Sequence, residues 1–475
     1  MNRFEEKELE ILREAVDRAE KKAGQALTHS EDVQKIIKIV ELFIQKKRLV
    51  CYGGTAINNI LPVNDQFYNK DIEIPDYDFF SANALQDAKE LADIYMAEGY
   101  TDIEAKSGVH HGTYKVFVNF IPVADITYIP KDLFKAIQEK GIKVNGIYYA
   151  PPDYLRMSMY LELSRPKGDV SRWEKVLKRL TLLNKHYPMK NPKCDNSNFM
   201  RSFEGSPQDA HAIYNIVKNT AIHEELVFFG GYASEVYRKY MPKSQRIRIK
   251  NKQPDFDLLS EDPQASAKLI KDRLQDEGFK HVKINKKCGF GEIIAPHYEI
   301  AVEEDTVAFV YEPLACHSYN IIKVKGKKVK VATIDTMLSI YLAFLYANRP
   351  YYEHDRIYCM AQYLFSVQSK NRLQQKGPLK RFSLNCIGKQ ETLEDMRNIK
   401  NNKYEELKHK RDSTEYEEWF LRYSPTKHLH NTDKPIETEK TIAKKKRITP
   451  KKNTITKKKH IKPKKKTMKL LGFNL

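Results

Sequence analysis

The feature that most constrains this chain is that it repeats itself. Phe229-Gly230-Gly231-Tyr232-Ala233 answers Tyr52-Gly53-Gly54-Thr55-Ala56, and Pro254-Asp255-Phe256-Asp257-Leu258-Leu259-Ser260 answers Pro75-Asp76-Tyr77-Asp78-Phe79-Phe80-Ser81. Further along, Tyr311-Glu312-Pro313 answers Tyr128-Ile129-Pro130, and Ala332-Thr333-Ile334-Asp335 answers Ala150-Pro151-Pro152-Asp153. The offsets are 177, 179, 183 and 182 residues, so four pairs keep their order and nearly their spacing. Chance is a poor explanation. Two copies of one unit of roughly 150 residues are the economical reading, each with a glycine turn, a D-x-D strand and a closing helix. A chain of 475 residues also exceeds the size at which one hydrophobic core keeps growing.

Within the first copy the local patterns are ordered. Leu9, Leu12 and Val16, then Val33, Ile36, Ile37, Val40 and Phe43, recur at helical spacing, and Ser30-Glu31-Asp32 reads as the start of a second helix. Leu49-Val50-Cys51-Tyr52 reads as a short buried strand running into Gly53-Gly54-Thr55. Strand, glycine turn and helix in that order suit a phosphate-cradling loop. Ile72 to Phe80 carries a strand signal, residues 84 to 98 a helical one, and Thr113 to Phe120 and Val123 to Ile129 two more strands. Residues 152 to 185 return to helical spacing, and 186 to 205 have linker composition.

Charge is distributed unevenly. The net formal charge is +20, but from Lys434 onward 15 Lys and one Arg face two Glu, which places +14 in the tail and +6 elsewhere. Lys444, Lys445, Lys446 and Arg447, then Lys457, Lys458 and Lys459, then Lys464, Lys465 and Lys466 form runs with almost nothing to bury. Such a tail is expected to be disordered and to bind a polyanion such as RNA, releasing counterions. A nuclear address is an equal reading of the same runs. No apolar run is long enough to span a bilayer, and the charged start is unlike a secretory signal. Six cysteines, at 51, 194, 288, 316, 359 and 386, lie far apart without a C-x-x-C pair, which argues against a disulfide framework or structural zinc and favours a reducing compartment.

The chemistry follows from three carboxylates. Asp76 and Asp78 are two apart on the expected strand, so both point to one face and can hold hard divalent cations through oxygen. Asp125 lies 47 residues beyond Asp78 inside an apolar strand, where a charge is costly unless it serves as a ligand. A two-cation site of this kind activates an attacking hydroxyl and holds a triphosphate. Gly53 and Gly54 let the backbone approach phosphates, with the Thr55 hydroxyl as a further donor.

On Cys51-Tyr52-Gly53-Gly54-Thr55-Ala56-Ile57-Asn58, Pro75 to Ser81 and Ser171-Arg172-Trp173-Glu174-Lys175, the sequence resembles the DNA polymerase beta-like nucleotidyltransferase superfamily. Within it, the chain is most similar to the poly(A) polymerase catalytic subunits of large cytoplasmic DNA viruses, of the asfarvirus kind. The resemblance spans residues about 30 to 350 and has a longer interval between glycines and D-x-D than the wider superfamily. It implies an α/β (α+β) fold of tandem nucleotidyltransferase-like mixed-sheet domains with helical additions. It assigns metal binding and catalysis to Asp76, Asp78 and Asp125, and nucleotide binding to Gly53, Gly54 and Thr55. Arg172 and Lys175 are candidates for the triphosphate, against the plainer reading of solvated cations on an amphipathic helix. ATP as substrate, Mg2+ or Mn2+ as cofactor and mRNA 3′ ends as acceptor come with it, as do a viral factory in host cytoplasm or the virion as location. A processivity or capping partner protein is compatible, and no membrane is involved.

The domain division expected on these grounds is 1–45 helical, 46–185 catalytic, 186–205 linker, 206–350 a degenerate second copy, 351–430 helical and 431–475 tail. In the second copy, aligning the Tyr-x-Pro motifs puts Ala308 opposite Asp125, so the third ligand is missing and catalysis is expected only in the first. The rival readings are a non-catalytic RNA-binding subunit with a dead fold, and another adenylyl or oligonucleotide transferase. His110-His111 reads as a turn or hydrogen-bonding pair, since neighbours on a strand face opposite ways. Residues 352 to 425, with Trp419 and Phe420, read as a helical appendage.

Overall fold

Two mixed sheets built in the same strand order carry the chain. The structure, a computed structural model, describes residues 3–69, 71–191, 194, 207–241 and 255–425. The first half runs α1 (Arg3–Thr28), α2 (Glu31–Lys47), β1 (Val50–Cys51), α3 (Gly53–Ile60), β2 (Tyr77–Ser81), α4 (Ala84–Ala97), β3 (Ile103–Ser107), β4 (Thr113–Val118) and β5 (Ile121–Tyr128). It continues with α5 (Lys131–Glu139), β6 (Ile142–Val144), β7 (Ile147–Tyr149), α6 (Pro152–Leu163) and α7 (Trp173–His186). The second half runs α8 (Pro207–His223), β8 (Val227–Phe229), α9 (Gly230–Tyr237), β9 (Phe256–Leu259), α10 (Pro263–Asp276), β10 (Val282–Lys287), β11 (His297–Val302) and β12 (Asp305–Tyr311). Then come β13 (His317–Val324), β14 (Lys327–Ala332), α11 (Ile334–Phe344), α12 (His354–Asn371), β15 (Cys386–Ile387), α13 (Leu393–Leu407), α14 (Thr414–Phe420) and β16 (Arg422–Tyr423).

The first sheet has the order β16-β3-β4-β5-β2-β1-β7-β6 and the second β10-β11-β12-β9-β8-β14-β13-β15. Without β16 and β15 the two orders superpose strand for strand, which is the repeat read from the sequence. Alternating burial along β4 follows from its period-two sequence, Tyr114, Val116 and Val118 inward. The core joins both halves through α6 and α11, whose Tyr160, Tyr341 and Leu342 are fully buried.

Several local expectations shift. The strand expected from Ile72 begins at Tyr77, because Pro75 has no N–H to give a ladder, and Asp76 therefore sits at the strand's mouth rather than within it. The helical stretch 152 to 185 is two helices, broken between Leu163 and Trp173 around Pro166 and Gly168. The C-terminal region is helical but also returns two short strands, β15 pairing with β13 and β16 with β3. The cysteine reading is corrected: Cys194 pairs with Cys359 and Cys316 with Cys386, leaving Cys51 and Cys288 free. The partners are 165 and 70 residues apart, so nothing local in the sequence announces them. The argument for a reducing compartment falls with it. Most of the expected linker and all of the Lys-rich tail, from Lys444 to Lys466, lie outside the described residues.

Candidate active site

The site forms where β1 ends, because Gly53 takes a positive φ of 73° and turns the chain directly into α3. A Cβ built on Gly53 would stand 2.7 Å from Asp78 Oδ2, so only glycine allows the turn to lie against that carboxylate. The Tyr52 amide donates to the Asp78 carbonyl at 2.9 Å, and the Tyr52 ring stacks on Phe80 with centroids 3.9 Å apart. Thr55 is buried, and its hydroxyl donates to the Asp76 carbonyl at 2.7 Å. That hydroxyl is therefore spent on fixing the D-x-D segment to the glycine turn.

Asp78 on β2 stands directly opposite Asp125 on the parallel strand β5. Asp125 in turn faces Lys115 across the antiparallel β4–β5 pair and forms an ion pair with it. Lys115 was not singled out in the sequence, although its place in the alternating β4 pattern puts it on the same face. Burial, then repulsion from Asp76 and Asp125, pushes the Asp78 carboxyl up to about 7, against the opposing pull of Lys115 and Arg172. Asp76 is raised by burial and by Asp125.

Among the described residues no three His, Cys, Asp or Glu side chains are arranged to hold a metal ion, and Asp125 pairs with Lys115. The donor set still fits a hard cation. Asp125 Oδ1 is buried without a hydrogen-bond partner, and the three carboxylates supply oxygens that repel one another until a positive charge joins them.

Beside the glycines lies a residue the sequence reading missed. The Arg179 guanidinium stacks over Phe67 and Tyr68, at 4.7 and 5.4 Å, and donates to the Tyr68 hydroxyl at 2.7 Å. A Cβ on Gly54 would meet Tyr68 Oη at 2.4 Å and Arg179 Nη1 at 2.9 Å, so this guanidinium touches the glycine turn. Phe67 and Tyr68 belong to the loop between glycines and D-x-D, held by Asn58, whose side-chain oxygen accepts both their amides. Arg172 is half exposed and bridges to Glu162 at 3.1 Å, while Lys175 is exposed. The spacing of Arg172, Lys175 and Arg179 places all three on one helix face, a signal that would have extended the candidate set by one.

The second copy reproduces the backbone with different side chains around it. Gly230 has φ 66° and lies against Asp257 as Gly53 lies against Asp78. Asp257 pairs in register with Phe309, and Ala308 pairs with Phe256, so the counterpart of Asp125 is Phe309 rather than the expected Ala308. The counterpart of Lys115 is Glu299, which faces Phe309 on β11. Tyr232, in place of Thr55, is buried and packs on Phe228 with ring centroids 4.6 Å apart. The space beside Asp255 and Asp257 is a cavity of about 20 Å3, lined by Phe309, Tyr341 and Arg356 among others, far below the size of a nucleotide pocket.

A glycine turn opening a helix against a D-x-D strand, with a third carboxylate in register on the parallel neighbour, defines a nucleotidyltransferase-like fold. The fold is also that of the crystal structure of the Megavirus polyadenylate synthase, with a TM-score of 0.75 at 21% identity over 93% of this chain and 91% of that one. Residues 38–169 match the family model described as "Poly(A) polymerase catalytic subunit", which contains the turn and all three aspartates. A protein of African swine fever virus (strain Badajoz 1971 Vero-adapted), provisionally named as such a subunit, is 35% identical over 164 residues, covering 33% of this chain and 34% of its own. A protein of Acanthamoeba polyphaga mimivirus with the same provisional name is 33% identical over 185 residues, covering 38% and 31%. The chain thus resembles the poly(A) polymerase catalytic subunits of large DNA viruses and spans about a third of the length of these relatives. No helix among the described residues is long and apolar enough to cross a membrane.

Proposed function

We propose that the chain is a polynucleotide adenylyltransferase that adds AMP from ATP to mRNA 3′ ends without a template and releases pyrophosphate. The observation that carries this is the register of Asp78 with Asp125 beside a glycine turn whose φ only glycine tolerates well. Asp76, Asp78 and Asp125 would hold Mg2+ or Mn2+, which when bound lowers the pKa of the attacking 3′-hydroxyl and steadies the triphosphate. The chain's own part is placement. The Gly53 and Gly54 amides at the start of α3 offer donors to a phosphate, and Arg179 on α7, with Arg172 in the turn just before that helix, offers charge where the triphosphate would lie. No protein nucleophile is needed.

In this reading residues 46–185 carry catalysis and residues 206–350 serve as scaffold or RNA-binding surface, as the replacement of the third ligand by Phe309 supports. The Lys-rich tail adds electrostatic affinity for RNA. Because the relatives are viral proteins, a cytoplasmic viral factory and the particle are the places to look for it. The test incubates the protein with a short RNA primer, Mg2+ or Mn2+ and each nucleotide separately, beside a double variant Asp76→Ala, Asp78→Ala. Long products from ATP, absent in the variant, establish the activity and its site. RNA binding without extension, in the presence of a candidate partner, would replace it with the non-catalytic subunit reading.

A further inference from the structure

A cleft of about 1190 Å3 adjoins the catalytic face. Its near wall includes Tyr52, whose hydroxyl is 2.8 Å from Thr127 Oγ1, and Thr127 lies two residues beyond Asp125, hence on the same face of β5. Its far wall is Trp419 of α14, packed on His111 of the β3–β4 turn with ring centroids 4.1 Å apart. Between them lies Tyr128, a half-exposed aromatic ring. Trp419 is held firmly: the Tyr114 hydroxyl donates to the Glu418 carbonyl at 3.2 Å, Glu417 pairs with Lys89, and the next strand joins the sheet. The charge of the cleft is the opposite of a phosphate site, with Glu261, Glu292, Glu312 and Glu391 against Arg165 and Lys389.

An aromatic, acid-rimmed cleft beside a site that consumes a 3′-hydroxyl suits planar bases and repels a phosphate backbone. We propose that Trp419 and His111 form the stacking platform for the last bases of the acceptor strand, which lies in the cleft by its bases with its phosphates toward solvent. This gives residues 352–425 a function: they supply the wall on which the primer rests. It rests on the polyadenylation reading for the identity of the strand. Stacking on one such platform is worth roughly tenfold in affinity, and it carries little of the salt dependence of phosphate contacts.

The test uses an oligo(A) strand and the full chain at high salt, where the Lys-rich tail is screened. The chain has two tryptophans, Trp173 and Trp419, so in a Trp173→Phe chain indole emission comes from Trp419 alone. Oligo(A) quenches that emission, an abasic strand of the same length does not, and the quench is lost in Trp419→Phe. Trp419→Ala and His111→Ala raise the primer KM roughly tenfold and leave the ATP KM unchanged. Quenching that survives in Trp419→Phe, or an unchanged primer KM in a folded Trp419→Ala, overturns the platform. A wild-type chain that shows the quench but incorporates no AMP overturns the polyadenylation reading and leaves the platform standing.

Discussion

Asp78 and Asp125 stand opposite each other on adjacent parallel strands, with Lys115 paired to the second. Burial, with Asp76 and Asp125 beside it, raises the proton affinity of Asp78, which has a measurable consequence. Asp78 is held at about 7, above its usual range near 4 in an unfolded chain. Between those values the folded state keeps a proton the unfolded state has lost, so the folded state loses stability as pH rises toward and through 7. Without divalent ions, melting temperature is expected to fall from pH 5 to pH 8, and less so in Asp78→Asn, which should be the more stable protein at pH 8. Mg2+ should restore more at pH 8 than at pH 5. Equal slopes for both proteins would refute the assignment. The same substitution should lower AMP incorporation by roughly 10²–10³-fold.

The two glycines of the turn should behave differently. Gly53→Ala meets a carboxylate and a left-handed φ, so it should destabilise the fold by about 1–2 kcal/mol in thermal or urea denaturation. Gly54→Ala meets only the ends of Tyr68 and Arg179, which can move away. Its melting temperature should stay near wild type while the KM for ATP rises, as it should in Arg179→Ala, by roughly tenfold for a lost charged hydrogen bond. An ATP KM unchanged in both would remove Arg179 from the nucleotide site.

Much of this site was readable in advance, and the failures are local. The glycine turn and the D-x-D pair show because their chemistry admits few residue types, and Asp125 shows because a lone charge in an apolar strand needs a reason. Arg179 shares a helix face with Arg172 and Lys175, but its place beside the glycine turn shows only in its packing on Phe67 and Tyr68 across the fold. The Ala308 alignment slipped by one because it was anchored on Tyr128 and Tyr311, which end their strands in different register: Tyr128 faces Ser81, whereas Tyr311 faces Leu259, the residue before Ser260. Asp76 left its strand because Pro75 precedes it.

The second copy offers a control built into the chain. Asp255→Ala with Asp257→Ala should leave AMP incorporation within about twofold of wild type, because Phe309 fills the place of the third ligand. Loss of incorporation in a double variant with a normal melting curve would move catalysis, or part of it, into that half. Phe309→Asp should not create a site. It should cost about 3 kcal/mol or more by burying an unpaired carboxylate among Tyr311 and Tyr351.

Peptide mapping without reductant should recover Cys194 joined to Cys359 and Cys316 joined to Cys386, with Cys51 and Cys288 as thiols. Cys316→Ser should lower stability by roughly 2–4 kcal/mol under non-reducing conditions and have no further effect once reductant is present. Recovery of six free thiols from protein purified without reductant would refute both pairings.

Each sheet is finished by a strand from the far end of the chain. β16 covers β3 through Arg422 and Tyr423, and β15 covers β13 through Cys386 and Ile387. During synthesis the first half is therefore translated, and able to collapse, while its β3 edge still lacks a neighbour, and it stays so until some three hundred residues later. An open edge on a nascent chain invites pairing with other chains. Residues 1–200 expressed alone are then expected to sediment as aggregate to a greater extent than the full chain, because their β3 edge never receives its neighbour.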